Sequence, residues 1–114
     1  MVPNVEQVIA RHRACFLSGK TQPAEWREQQ LAAVQAMVTE RAGEFYDALW
    51  KDLRRNRVDA AVADLNAIAD EAAYARRHVR RWMKPQREGT PFFLWPGHTT
   101  IRFDPLGVGV IIGA

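Results

Sequence analysis

Asp104-Pro105-Leu106-Gly107-Val108-Gly109-Val110-Ile111-Ile112-Gly113-Ala114 passes from a Pro/Gly break into unbroken apolar residues. Such a run, bounded by glycine, reads as a strand buried on both faces, of the kind found in parallel sheets. A strand of that kind needs neighbours on both edges and helices above and below it. The chain is therefore expected to be the front end of a larger α/β protein, with 105–114 opening its sheet.

The preceding residues supply helices. Asn4 is placed to cap a first helix, with Gln7 three positions on completing a capping-box pattern. Val5, Val8, Ile9, His12 and Phe16 follow at helical spacing, and Ser18-Gly19 closes the run with a C-cap glycine. Thr21-Gln22-Pro23 opens a second helix with proline in its first turn, where a missing N–H costs nothing. Leu31, Val34, Met37 and Val38 give that helix an apolar stripe, and Gly43 interrupts it before a short third helix marked by Phe45, Leu49 and Leu53. The fourth pattern is the longest. Val58, Ala61, Val62, Leu65, Ile68, Ala69, Ala72, Val79, Trp82 and Met83 keep a period of three to four until Lys84-Pro85 stops the helix. Trp26, Trp50 and Trp82 fall on these helices, where core packing is their natural role.

Beyond Pro85 the pattern changes. Gln86 to Gly89 reads as a polar connector, and Pro91, Pro96, Gly97 and Pro105 forbid a long helix. Thr99, Ile101 and Phe103 alternate with Thr100 and Arg102, the period of a half-buried, edge-type strand. Phe92, Phe93, Leu94 and Trp95 are four consecutive large apolar residues between prolines, and such a patch marks an interface.

A net charge of +3, with 47% apolar and 25% charged residues, is ordinary for a globular domain and demands no acidic partner. A single cysteine, Cys15, rules out an internal disulfide and fits a reducing, cytoplasmic setting. The N-terminus lacks the basic flank and apolar run of a signal peptide. No segment approaches the roughly 18 apolar residues that span a bilayer.

The chemistry-bearing residues are sparse. Gly107, Gly109 and Gly113 invite a dinucleotide-fingerprint reading, but the third is one residue late for G-x-G-x-x-G. The glycines also frame the strand instead of following it at a helix N-terminus, where amides meet a pyrophosphate. They read as packing and turn glycines. Cys15 lies in an arginine-rich helix beside Phe16, a setting in which a small half-apolar thiol is more natural than a nucleophile. His12, His78 and His98 are too scattered for metal-ligand spacing, so no metal site is assigned. Asp70 and Glu71 read as helix-surface acids facing Arg76 and Arg77. Arg76, Arg77, Arg80, Arg81, Lys84 and Arg87 form the one basic run; its first four arginines share a face opposite Val79, Trp82 and Met83, and with no aromatic residues interleaved on that charged face to stack bases it reads as a solvated helix face.

Several blocks in order resemble the N-terminus of an aldehyde dehydrogenase, of the dimeric branch that includes fatty- and aromatic-aldehyde enzymes. They are Phe16-Leu17-Ser18-Gly19-Lys20-Thr21, Trp26-Arg27 with Gln30-Leu31, and Ala48-Leu49 with Lys51-Asp52-Leu53. Trp82-Met83-Lys84-Pro85, Asp104-Pro105-Leu106-Gly107-Val108 and Ile111-Ile112-Gly113-Ala114 continue the series. The resemblance implies an α/β fragment: a helical lead-in over 1–85, a connector and strand of the oligomerisation sheet over 86–104, and the truncated start of a Rossmann-like NAD(P)-binding domain over 105–114. It also implies that Ile112, Gly113 and Ala114 line the cofactor pocket. The family continues from this point with Trp-Asn-Tyr-Pro, whose asparagine helps hold the oxyanion, while its catalytic cysteine and general-base glutamate lie far downstream. No catalytic residue is therefore assigned in this chain.

The expected function is that of an N-terminal fragment of an NAD(P)-dependent aldehyde dehydrogenase, inactive alone. In complete form it would be a homodimer acting on an aldehyde, with NAD or NADP as cofactor. The alternative is a small basic helical protein binding nucleic acid or a partner helix, for which the apolar run 108–112 has no use.

Overall fold

The computed structural model describes residues 4–112. They form two compact units, residues 24–82 in one and residues 4–23 with 83–112 in the other.

The larger unit is helical. Helix α2 (Ala24–Glu40) begins directly after Pro23, one position later than the sequence suggests. The interruption expected at Gly43 falls at Arg41, whose backbone (φ −107°, ψ 21°) leaves helical geometry; Gly43 is absorbed into the first turn of α3 (Ala42–Leu53). Arg41 binds Glu44 with its Nε 2.8 Å from a carboxylate oxygen, tying the break to the new helix. Helix α3 closes at Arg54, a non-glycine residue at φ 53° whose N–H donates to the Trp50 carbonyl at 3.0 Å.

Asn56 then caps the next helix, accepting from the Asp59 N–H at 2.9 Å. The single long helix read from the sequence is here three segments of continuous helical backbone: α4 (Arg57–Asp59), a π-helical stretch (Ala60–Leu65) and α5 (Asn66–Trp82). Five residues of α-helix, at about 100° each, would carry a side chain well past the face it left. Hydrogen bonds to the fifth residue back instead bring Ala60 and Leu65 toward one side. Both are buried, at 0% and 5% exposure. Leu65, Ala72 and Val79 continue this narrow stripe at seven-residue intervals, and Val38 of α2, 2% exposed, completes the core. The main packing is α2 against α5.

The tryptophans correct the sequence reading. Trp50 and Trp82 are about half exposed and Trp26 is only half-buried, so they border the core instead of filling it. Val58 and Val62 also face outward. Among the described residues the core is built on alanine, valine and one leucine, with no aromatic side chain buried in it.

The smaller unit holds α1 (Val5–Leu17) and a hairpin. Asn4 caps α1 as expected, its side chain accepting from the Glu6 N–H at 3.0 Å. Gly19, at φ 74°, makes the left-handed exit. Strands β1 (Gln86–Glu88) and β2 (Thr99–Ile101) pair antiparallel, Gln86 with Ile101, Arg87 with Thr100 and Glu88 with Thr99. The segment read as a polar connector is thus itself a strand. Both faces of this hairpin are exposed, so no apolar alternation was required to form it. Between the strands, Phe92–Leu94 makes a 3₁₀ turn, and Thr90 Oγ1 accepts from the Thr99 N–H at 2.9 Å.

The edge-type strand is present but stops at Ile101, without Phe103. The buried strand expected over 108–112 is not formed. Among the described residues, 102–112 have no strand partner; β1 and β2 pair only with each other. A strand exists through its neighbours, and an apolar run without them stays irregular.

Candidate functional site

The segment expected to meet a cofactor leaves β2 through Pro105 and turns at Gly107, where φ is 136°. Val108 is 39% exposed, Ile111 96% and Ile112 92%. Gly113 and Ala114, assigned with Ile112 to the cofactor pocket, lie outside the described residues. By themselves Val108 to Ile112 offer a ligand only apolar side chains and backbone.

Cys15 is half-buried on α1 and shares a shallow groove with Val8, Arg11 and His12. The structure thus brings one histidine near the thiol, one turn before it on the same helix. Among the described residues no third group in the groove orients that histidine, as nucleophile activation needs. His78 belongs to a different arrangement. Its ring packs between Tyr74 and Trp82, with centroids 4.1 and 5.8 Å away, and its Nδ1 lies 2.7 Å from the Tyr74 carbonyl. An Nδ1 facing a carbonyl carries the proton. His98 stands exposed on the loop before β2. Among the described residues, no three His, Cys, Asp or Glu side chains group closely enough to hold a metal ion.

The basic run is only partly a solvated face. Arg80 reaches across to α2, its Nε 2.6 Å from one Glu28 oxygen and its Nη2 2.8 Å from the other. The same Nη2 also lies 3.0 Å from a Glu25 oxygen. Hydrogen bonding to Arg80 holds the Glu28 carboxyl below its ordinary range. Glu25 is lowered first by a backbone hydrogen bond and then by Arg80. The expected pairing of Asp70 and Glu71 with Arg76 and Arg77 is not made among the described residues; α5 spends its ion pairs on its neighbour. Sequence periodicity marks the charged face but not which arginine meets a carboxylate more than fifty residues away.

Phe92 (89% exposed), Phe93, Leu94 and Trp95 (81%) project from the 3₁₀ turn, as the sequence suggests. Among the described residues no helix is long and apolar enough to cross a membrane.

Helices α1 to α5, the hairpin β1–β2 and the apolar segment 102–112 follow one another in chain order. The chain superposes on the substrate-bound state of AldH from Staphylococcus aureus with a TM-score of 0.83, at 24% identity, over 89% of this chain and 22% of that one. This likeness establishes the fold. Sequence comparison points the same way. The chain is 34% identical over 110 residues to the dimeric NADP-preferring aldehyde dehydrogenase of Canis lupus familiaris, and 32% identical over 111 residues to an aldehyde dehydrogenase of Craterostigma plantagineum. Those alignments take in 96% and 97% of this chain. No protein-family model matches it. Over nearly its whole length the chain is similar to the N-terminal portion of aldehyde dehydrogenases. It spans about a quarter of the length of the curated relatives it matches, 24% of the canine enzyme and 23% of the plant one.

Proposed function

We propose that these 114 residues serve an NAD(P)-dependent aldehyde dehydrogenase as its N-terminal portion, and that alone they catalyse nothing. In the complete enzyme an aldehyde is oxidised to a carboxylic acid and hydride passes to NAD or NADP. Residues 1–85 are the helical lead-in and 86–104 the connector with the strand of the oligomerisation sheet. Residues 105–114 open a Rossmann-like cofactor domain, with Ile112, Gly113 and Ala114 beside the cofactor. The complete enzyme is a cytoplasmic homodimer; the naming of the canine relative as dimeric and NADP-preferring supports both the assembly and the cofactor, and a lone cysteine fits a reducing compartment.

The observation that carries this reading is that sequence likeness and fold likeness each extend over most of the chain, 96% and 89% of it. The role of the chain's own residues is to build and present surfaces: α2 and α5 as a rigid pair, and the hairpin with its apolar loop as a docking element. No catalytic step is assigned to any of them.

The test is the coding DNA after the Ala114 codon, read in all three frames. Trp-Asn-Tyr-Pro or a close variant is expected there. Unrelated sequence in every frame would overturn the reading.

A further inference from the structure

The larger unit, residues 24–82, carries as many acidic as basic side chains, ten of each. The charges are not mixed. After Glu71 the helix holds four arginines and no acid up to Trp82. Folding accounts for one of them, since Arg80 satisfies both Glu28 and Glu25. Arg76 and Arg77 are exposed and make no hydrogen bond among the described residues, although Arg76 lies close enough to Glu28 for its charge to help lower that carboxyl. Together with half-buried Gln35 of α2 and Ala73 of α5 they border a groove between the two helices. Glu28 also lines that groove, but both of its oxygens are occupied by Arg80.

Two guanidinium groups that make no hydrogen bond among the described residues, beside a carboxamide and an alanine, suit a planar or tetrahedral oxyanion. Guanidinium supplies paired donors in a fixed fork, and is more weakly hydrated than an ammonium. We propose that the groove bordered by Gln35, Ala73, Arg76 and Arg77 binds a phosphate-class oxyanion. The two arginines supply charge and paired N–H donors, and the Gln35 amide supplies a neutral donor from the opposite wall. The proposal does not depend on the dehydrogenase reading, because it concerns only the helix pair.

The test is calorimetric titration of the 114-residue chain with pyrophosphate and with inorganic phosphate, against chloride at matched ionic strength. Saturable one-to-one binding of pyrophosphate is expected. The double substitution Arg76→Gln/Arg77→Gln should weaken it by about tenfold or more, as expected for loss of charge-assisted bonds. Arg81→Gln, which removes a charge outside the groove, should leave it nearly unchanged. Gln35→Ala tests the opposite wall with every charge retained and should weaken binding severalfold; circular dichroism of each variant confirms the fold. No saturable heat, or equal weakening by Arg81→Gln, would reduce the effect to diffuse attraction and overturn the site. Binding of a short oligonucleotide without binding of pyrophosphate would overturn it in favour of a nucleic-acid surface.

Discussion

Arg80 and Glu28, 52 residues apart in sequence, meet in a two-pronged ion pair that joins α5 to α2. Both are at the surface, so salt screens the contact and its share of stability is small. Its signature is pH dependence. The Glu28 and Glu25 carboxyls sit below their ordinary range in the folded chain. Their stabilisation is complete above the ordinary carboxylate range and is lost as pH falls through the lowered folded values. Arg80→Gln should therefore lower the urea midpoint slightly at neutral pH, where both carboxylates are charged, leave it unchanged at acid pH below their lowered values, and so flatten the acid limb of a plot of midpoint against pH. An acid limb unchanged by the substitution would mean that the pair does not couple to folding.

Leu65 tests whether the π-helical stretch belongs to the core. It is 5% exposed at the end of that stretch, whereas Val62, three residues earlier, is 67% exposed. Leu65→Ala should cost about 2–5 kcal/mol, as for buried leucines generally. Val62→Ala should cost under about 0.5 kcal/mol, as at ordinary surface positions. Thermal unfolding of both variants checks this. A regular α-helix through 57–82 would bring their costs closer together.

These contrasts show where sequence sufficed. Caps and breakers are local, so Asn4, Gly19 and Lys84-Pro85 were legible: each acts on its own backbone within a few residues. The π turn was not legible, because Val58, Val62 and Ile68 keep an α-period that burial of Ala60 and Leu65 overrides. Strand β1 was missed because Gln86, Arg87 and Glu88 carry no alternation; pairing partners at Thr99 to Ile101 decide it. The run 108–112 shows the converse. Its composition announces a strand, yet composition cannot supply neighbours. Arg80 likewise looked like its fellow arginines until the distant Glu25 and Glu28 were placed beside it.

The hairpin loop depends on Gly97. A Cβ there would lie 2.7 Å from the Leu94 carbonyl oxygen, a backbone atom with little room to yield. The Gly97 N–H donates to that same oxygen. Gly97→Ala should open the turn and reduce hydrogen-exchange protection of the Thr99 amide. Gly109→Ala, with nothing within 4 Å of the added carbon, should leave that protection unchanged. Equal protection in both variants would refute the close-approach argument.

Purified residues 1–114 should give no aldehyde-dependent NAD(P)H. The groove around Cys15 offers His12 but, among the described residues, no orienting third group, and the nucleophile, its base and an oxyanion donor together supply most of such an enzyme's rate. Absorbance at the reduced-cofactor band, across aliphatic and aromatic aldehydes, is the measurement. Turnover that disappears in Cys15→Ser would make Cys15 a nucleophile and overturn the assignment.

The apolar exit segment makes the largest demand on the isolated chain. Val110, Ile111 and Ile112 are 70%, 96% and 92% exposed, and Phe92 to Trp95 add a second exposed apolar group. At about 25 cal/mol per Å² of apolar surface, covering these side chains is worth several kcal/mol, comparable with the net stability of a small domain. Another copy of the chain can provide that cover, and the open edges of β1 and β2 provide backbone groups to pair with. The 114-residue chain should therefore self-associate in sedimentation experiments as concentration rises. A chain ending at Pro85 lacks both apolar groups and the hairpin, but keeps the pairing of α2 with α5 and the buried stripe of Leu65, Ala72 and Val79. It should sediment as a smaller, more soluble species with a strongly helical circular dichroism spectrum. A full chain that stays monomeric at high concentration while unfolding cooperatively would show that 102–112 is covered from within, and would contradict the exposure on which this prediction rests.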